Sequence, residues 1–343
     1  MYAKLTYLLT FLACATCLLS SCSSDTPDVP AAGKGSEVSF DVSDITRASV
    51  TTSFNQFAVY GDRKSSESPE SDQTVIFNKT EVNYKDGGWS YEGVQYWIPK
   101  NEHSFVAISP VSALETSGNP QYSNSRLSFT YIIPTTENKV SAHSDVADIL
   151  AATHRRLHND GDTNTTTTFR FAHVMSLINL APALDDNVMN PDEYIQIHKM
   201  ELSGFKTKAD FSIVPAQRQS ASPTDDRVIE ITGQERDGTL TIDFATPVKV
   251  ANDRKNVSLF DANNAIIMLP QNFSADSEAK IIIHYTANND ESMKQGTLPL
   301  KNQKWESGKS YTYRFTISRT GLRPDETTIS NWDVLNVGNI DAH

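Results

Sequence analysis

The sequence predicts an all-β protein, and three observations carry that expectation. Short runs rich in β-branched and aromatic residues recur from Ala48 onward, each bounded by Gly, Pro, Asn, Asp or Ser. No segment of three or more turns carries a clean apolar stripe of helical period, although Asp145 to Arg156 reads as one short helix. Many short strands separated by turns argue for β-sandwiches rather than a parallel α/β sheet.

Taken in order, the first element is a leader. Lys4 precedes an apolar run from Leu5 to Leu19, about 15 residues and shorter than the roughly 20 that span a bilayer. Leu19-Ser20-Ser21-Cys22 follows, which reads as a bacterial lipobox, so residues 1–21 form a cleaved lipoprotein signal and Cys22 is the lipidation site. An acyl chain there would tether the chain to a membrane, each buried methylene contributing roughly 0.8 kcal/mol. Cys14 and Cys17 lie inside the signal, which leaves no thiols for a disulfide framework, a zinc site or catalysis.

Residues 23–36, with Ser, Asp, Pro, Ala and Gly, read as a flexible tether. Val38, Phe40 and Val42 then alternate with Ser39, Asp41 and Ser43, the signature of a half-buried strand, and the stretch closes on Ile45-Thr46-Arg47-Ala48-Ser49. Further strands are read at Phe57 to Tyr60, Thr74 to Phe77, Ser104 to Ile108, Ser128 to Ile133, Met175 to Leu180, Ile195 to Ile197, Leu240 to Phe244, Ala265 to Leu269, Lys280 to Tyr285 and Tyr311 to Ile317. Asp86-Gly87-Gly88 and Ser307-Gly308-Lys309 are turns between them. The polar stretch His158 to Thr165 reads either as a boundary between domains 48–160 and 161–343 or as a long hairpin loop.

Composition excludes some functions. Acids number 42 against 30 bases, a formal charge of −12, which argues against nucleic acid as a partner and suits a self-repelling extracellular body. Gly308-Lys309-Ser310 lacks the glycine of a phosphate loop, since Gln303 stands at that position. No glycine pair has the spacing of a nucleophile elbow, and no pair of carboxylates is set out as acid and base. His154 and His158 are spaced as helical metal ligands, but Arg155 and Arg156 between them favour an exposed pair, and His173 alternates with Phe169 and Phe171 as part of a sandwich face. No catalytic residue, metal site or cofactor is expected. Trp89, Tyr91, Tyr96 and Trp97 form the densest aromatic cluster, which fits a sandwich core better than a glycan-stacking surface; Trp305 and Trp332 read likewise as core.

Several of these stretches together resemble the fimbrillin-like proteins of Bacteroidetes: Phe57-Ala58-Val59-Tyr60-Gly61, Phe77-Asn78, Trp89-Ser90-Tyr91 with Tyr96-Trp97, and His103 to Pro110. The likeness continues through Asp148 to Ala152, Phe171 to Ser176, Leu269-Pro270-Gln271 and Trp305 to Tyr311. The resemblance implies two tandem transthyretin-like β-sandwiches in an outer-membrane lipoprotein of the cell surface, assembled into a fimbrium with other subunits. It also implies an arginine-specific protease that cuts between Arg47 and Ala48, so that residues 22–47 act as tether and removable first strand. A strand from a neighbouring subunit then fills the vacated groove. The candidate donor is the C-terminal segment 327–337, with Ile329, Trp332, Val334, Leu335 and Val337. Trp332 and Val334 share one strand face while Leu335 and Val337 share the other, so this end reads either as a bulged donor or as the last strand of its own sandwich. Residues 38–45 likewise read either as a removable strand or as a permanent edge strand. A non-polymerising glycan-binding surface lipoprotein is the alternative function, and a host or bacterial surface receptor is a further candidate partner of the fimbrial one.

Overall fold

The computed structural model describes residues 36–45, 54–68, 73–116, 120–140, 142–185, 189–190, 192–216, 227–251, 259–260, 266–288, 290–332 and 335–336. Among them the regular elements are strands, with two 3-10 turns at Val111–Glu115 and His143–Asp145, as an all-β sequence requires.

The organising feature is a sheet covered on both faces. Asn101–Ser109 pairs antiparallel with Gln56–Ser65 on one side and with Leu150–His158 on the other. Along these strands, alternate side chains enter different cores. Phe57, Val59, Phe105, Ala107, Leu150 and Ala152 point into the smaller one. Ala58, Tyr60, Val106, Ile108 and Ala151 point into the larger one. Two-sided burial explains the continuous apolar runs Phe57 to Tyr60 and Phe105 to Ile108, which lack the polar alternation of a half-solvated strand.

The same geometry corrects one sequence expectation. The stretch from Asp145 to Arg156 is not a helix; Leu150–His158 is a strand with nine register partners in Asn101–Ser109. Its apolar start at Leu150-Ala151-Ala152 reflects burial on both faces rather than a helical stripe. His154 and His158 therefore lie along a strand, and His158 is buried instead of exposed. After His158 the chain turns and returns as Thr166–His173, which rejoins the sheet through Leu150↔His173 and Ala151↔Ala172.

Next to Gln56–Ser65 lies Thr74–Lys85, which turns into Gly88–Tyr91. Asp86 and Gly87 have φ of 52° and 82°, the two left-handed positions that a tight hairpin turn demands. Across the larger core runs a long hairpin of Tyr194–Pro215 and Arg227–Ala251. Register shifts at Ile197/Lys199 and Ser203/Phe205 reset which side chains face inward, so Ile195 and Ile197, then Met200 and Leu202, then Phe205 to Ile213 are buried in successive phases. Gly204 sits at the second shift with φ +75°, and a Cβ there would lie 2.9 Å from the Ala279 Cα. One end of this hairpin pairs with Arg126–Ile132 and the other with Lys280–Ala287. A separate four-stranded sheet runs Ile266–Met268, Ser176–Leu184, Lys309–Ser318, Gly321–Asn331.

Candidate functional site

The N-terminal strand Ser39–Ile45 closes the smaller core. It pairs in parallel with Thr166–His173, from Ser39↔Thr166 through Val42↔Phe169 and, after a bulge, to Ile45↔Phe171. Val38, Phe40 and Val42 are buried, whereas Asp41 and Ser43 are exposed, the alternation the sequence announced. Phe40 is the centre of the arrangement. Its ring centroid lies 6.4 Å from Phe57, 5.3 Å from Phe77, 5.6 Å from Tyr91, 5.8 Å from Phe105 and 5.5 Å from Phe169. Four of these contacts are edge-on or tilted and the Phe169 ring is stacked, geometries that suit aromatic quadrupoles.

The strand's other edge is held at its two ends. At the start, the Val38 amide donates to the Gln95 carbonyl at 2.8 Å and the Trp97 amide donates to the Ser36 carbonyl at 2.9 Å. The Tyr91 hydroxyl donates to the Val38 carbonyl at 2.8 Å. At the far end, Asp44 and Ile45 pair antiparallel with Asn336 and Leu335. Between them the Val42 amide donates to its neighbour's carboxylate, Asp41 Oδ1, at 2.8 Å. That local bond occupies an amide which would otherwise seek a second strand.

Cys22, Arg47 and Ala48 lie outside the described residues, as do Val334 and Val337. Ile329 belongs to Gly321–Asn331, pairs with Tyr311 across Lys309–Ser318, and is 57% exposed. Trp332 is buried and lies flat on His173, with centroids 3.6 Å apart and planes within 1°. His173 is in turn held by Asp148 through Nδ1 and Oδ1 at 2.7 Å. Leu335 reaches the N-terminal strand through the backbone pairing just described.

The aromatic cluster lines this groove. Trp97 is fully buried, and Trp89 is half-buried against Phe54, Phe57 and Tyr84. Tyr91 borders Phe40, which leaves Tyr96, 43% exposed, as the outermost member. Among the described residues, no three His, Cys, Asp or Glu side chains are grouped as a metal site.

Sequence reading missed the junction where the strand begins. Trp97 Nε1 donates to the Thr165 carbonyl at 2.8 Å, and the Ser39 amide donates to the same carbonyl at 3.1 Å. His103 and His158 flank the indole with centroids 4.7 and 5.3 Å away, and the Arg156 guanidinium sits 4.2 Å from the ring centroid. Burial holds His103 down to about 3, with positive neighbours acting the same way. The alternation of His103 with Phe105 was the available signal, because it places the imidazole on the face of the smaller core. Chemically the site is a buried, aromatic slot with a backbone ladder along one wall, suited to holding an extended strand.

The fimbrillin-like family profile matches residues 46–332. A fimbrial protein from Bacteroides vulgatus superposes with a TM-score of 0.57 at 18% identity, covering 86% of this chain and 99% of that one. A cell adhesion protein assigned from Bacteroides ovatus gives 0.46 at 16% identity, over 88% and 98%. The tip fimbrial protein Mfa3 of Porphyromonas gingivalis gives 0.39 at 9%, over 87% and 100%. No curated protein sequence matches the chain.

Proposed function

Because this chain belongs to the fimbrillin-like family, we propose that it is a structural or adhesive subunit of a cell-surface fimbria whose N-terminal strand is a temporary occupant of its groove. The subunit is exported as a lipoprotein through Cys22, cut between Arg47 and Ala48 by an arginine-specific protease, and joined to its neighbour by a strand that replaces residues 38–45. The segment 327–337 is our candidate donor.

One observation supports this most strongly. Val38, Phe40 and Val42 fill a single slot contributed by the chain beyond Phe54, and the strand ends at Ile45, two residues before Arg47. Burial of each such side chain contributes about 1.5–3 kcal/mol, so an emptied groove is a strong acceptor for another strand. Its vacated backbone groups on Thr166–His173 add hydrogen bonds that fix register. The protein's role would then be non-enzymatic, with the polymer itself as the product.

Terminal sequencing of the native protein recovered from the cell surface tests this directly. A chain starting at Ala48 is expected in the assembled fraction. Finding only a blocked Cys22 there would contradict processing.

A further inference from the structure

Trp97 ties the start of the N-terminal strand to the body of the protein. It is bonded through its amide to Ser36 and through its indole to Thr165, whose carbonyl also receives the Ser39 amide. What supports the indole is a pair of histidines. His103 is fully buried, with Nδ1 3.2 Å from the Asn101 carbonyl and Nε2 receiving the Ile98 amide at 3.5 Å. One ring nitrogen faces an acceptor and the other faces a donor, which only the neutral imidazole satisfies. A proton on Nε2 would set two donors against each other.

The charges around the pair reinforce this. Facing His103 are Arg63 from Gln56–Ser65, and Arg156 and His158 from Leu150–His158. His158 Nδ1 lies 3.5 Å from an Arg156 guanidinium nitrogen and 3.8 Å from Asp162 Oδ2, and the Asp160 carboxylate also acts on the ring. Glu102, on the same strand as His103, is engaged by Arg155 at 3.3 Å. His154 packs near Phe105 and also feels Arg156. Gln95 to Ile98 carry no charge, Lys100 beyond them is engaged by Glu67 at 2.8 Å, and Glu37, just before the strand, is exposed.

We propose that His103 and His158 form a pH-sensitive catch for the N-terminal strand: their protonation loosens Trp97 and frees residues 36–45 from the groove. The inference rests on reading that strand as removable, and it adds an acid-triggered step to its release. While the strand is seated, burial above all pulls both rings below their ordinary value, His103 to about 3. Once the strand leaves and water reaches them, they titrate near the ordinary value of about 6.5. A base whose seated-state value is depressed stabilises that state above the free value, and the contribution is lost as pH falls below it. For His103 alone, complete hydration gives roughly a thirtyfold gain in opening at about pH 5.

Hydrogen exchange on the full chain measures this opening at the Val38 to Val42 amides, each rate referenced to that of the same amide in a free peptide spanning residues 36–46 at the same pH. Between about pH 7.5 and about pH 5, referenced opening of the native chain should rise at least tenfold. In the His103→Gln, His158→Gln variant the rise should be less than about threefold, because a Gln amide donates and accepts without titrating. A flat native profile, or an equal rise in the variant, would overturn the catch. His103→Gln alone, expected to lose most of the rise, provides the second variant. Protease-driven oligomers that form with no pH dependence at these amides would reject the catch and leave the assembly reading intact. The pH response without oligomers would do the reverse.

Discussion

Replacing Phe40 with Ala removes the ring on which five others converge. Truncating a buried Phe costs about 3–5 kcal/mol, combining lost transfer energy with the cavity left behind. The strand, however, is a terminal element with one continuous ladder, along Thr166–His173. Its contribution therefore has a ceiling: once the loss exceeds the free energy of docking, the strand leaves and the remaining core persists. Phe40→Ala alone should approach that ceiling, and adding Val38→Ala and Val42→Ala should produce a plateau rather than a sum. Urea unfolding of the chain from Cys22 onward, followed by near-UV circular dichroism, gives the stability differences. Exchange at residues 38–42 reports whether the strand has left. Ile329→Ala, at a side chain 57% exposed, is the control and should change stability by less than about 0.5 kcal/mol. A Phe40→Ala effect within the control's range would refute the view that this ring secures the strand.

Further expectations concern the groove wall, the long hairpin and acid. Gly61→Ala places a Cβ 2.6 Å from Phe105 Cδ1 and 3.2 Å from Phe77 Cδ2, so thermal unfolding should register a loss of about 1–3 kcal/mol through overpacking. Gly204→Ala combines φ +75° with a 2.9 Å approach to the Ala279 backbone, and should cost at least about 1 kcal/mol by the same assay. His103 and His154 are held by burial at about 3 and about 4, below their unfolded value. Both then remain neutral when folded and take up protons on unfolding, so stability is lost as pH falls below about 6.5. At about pH 5 the loss is about 2 kcal/mol for each, readable as a shift in the urea midpoint. Asp62, whose carboxyl is raised chiefly by burial, acts in the opposite direction over the acidic range.

Much of the all-β body was legible because its strands carry local signatures. Phe169, Phe171 and His173 face inward in alternation, and Asp86-Gly87 adopts the left-handed turn that the residue types require. Val38, Phe40 and Val42 were likewise readable from period alone. Three things were not. Leu150–His158 mimicked a helix because a strand buried on both faces loses its polar alternation. The long hairpin's inward face changes phase at its bulges, so no single period runs through Tyr194–Pro215. The partners of the N-terminal strand are more than a hundred positions away, as in Ser39 with Thr166, and nothing local specifies them. The same holds for Trp332 on His173.

Treating the chain from Cys22 onward with an arginine-specific protease, then following its terminus by sequencing and its mass by light scattering, tests the central claim most directly. The expected result is a new terminus at Ala48 accompanied by growth to the mass of many subunits, halted by excess peptide spanning residues 36–46. A clean Ala48 terminus on a species that stays at the mass of one subunit would contradict it.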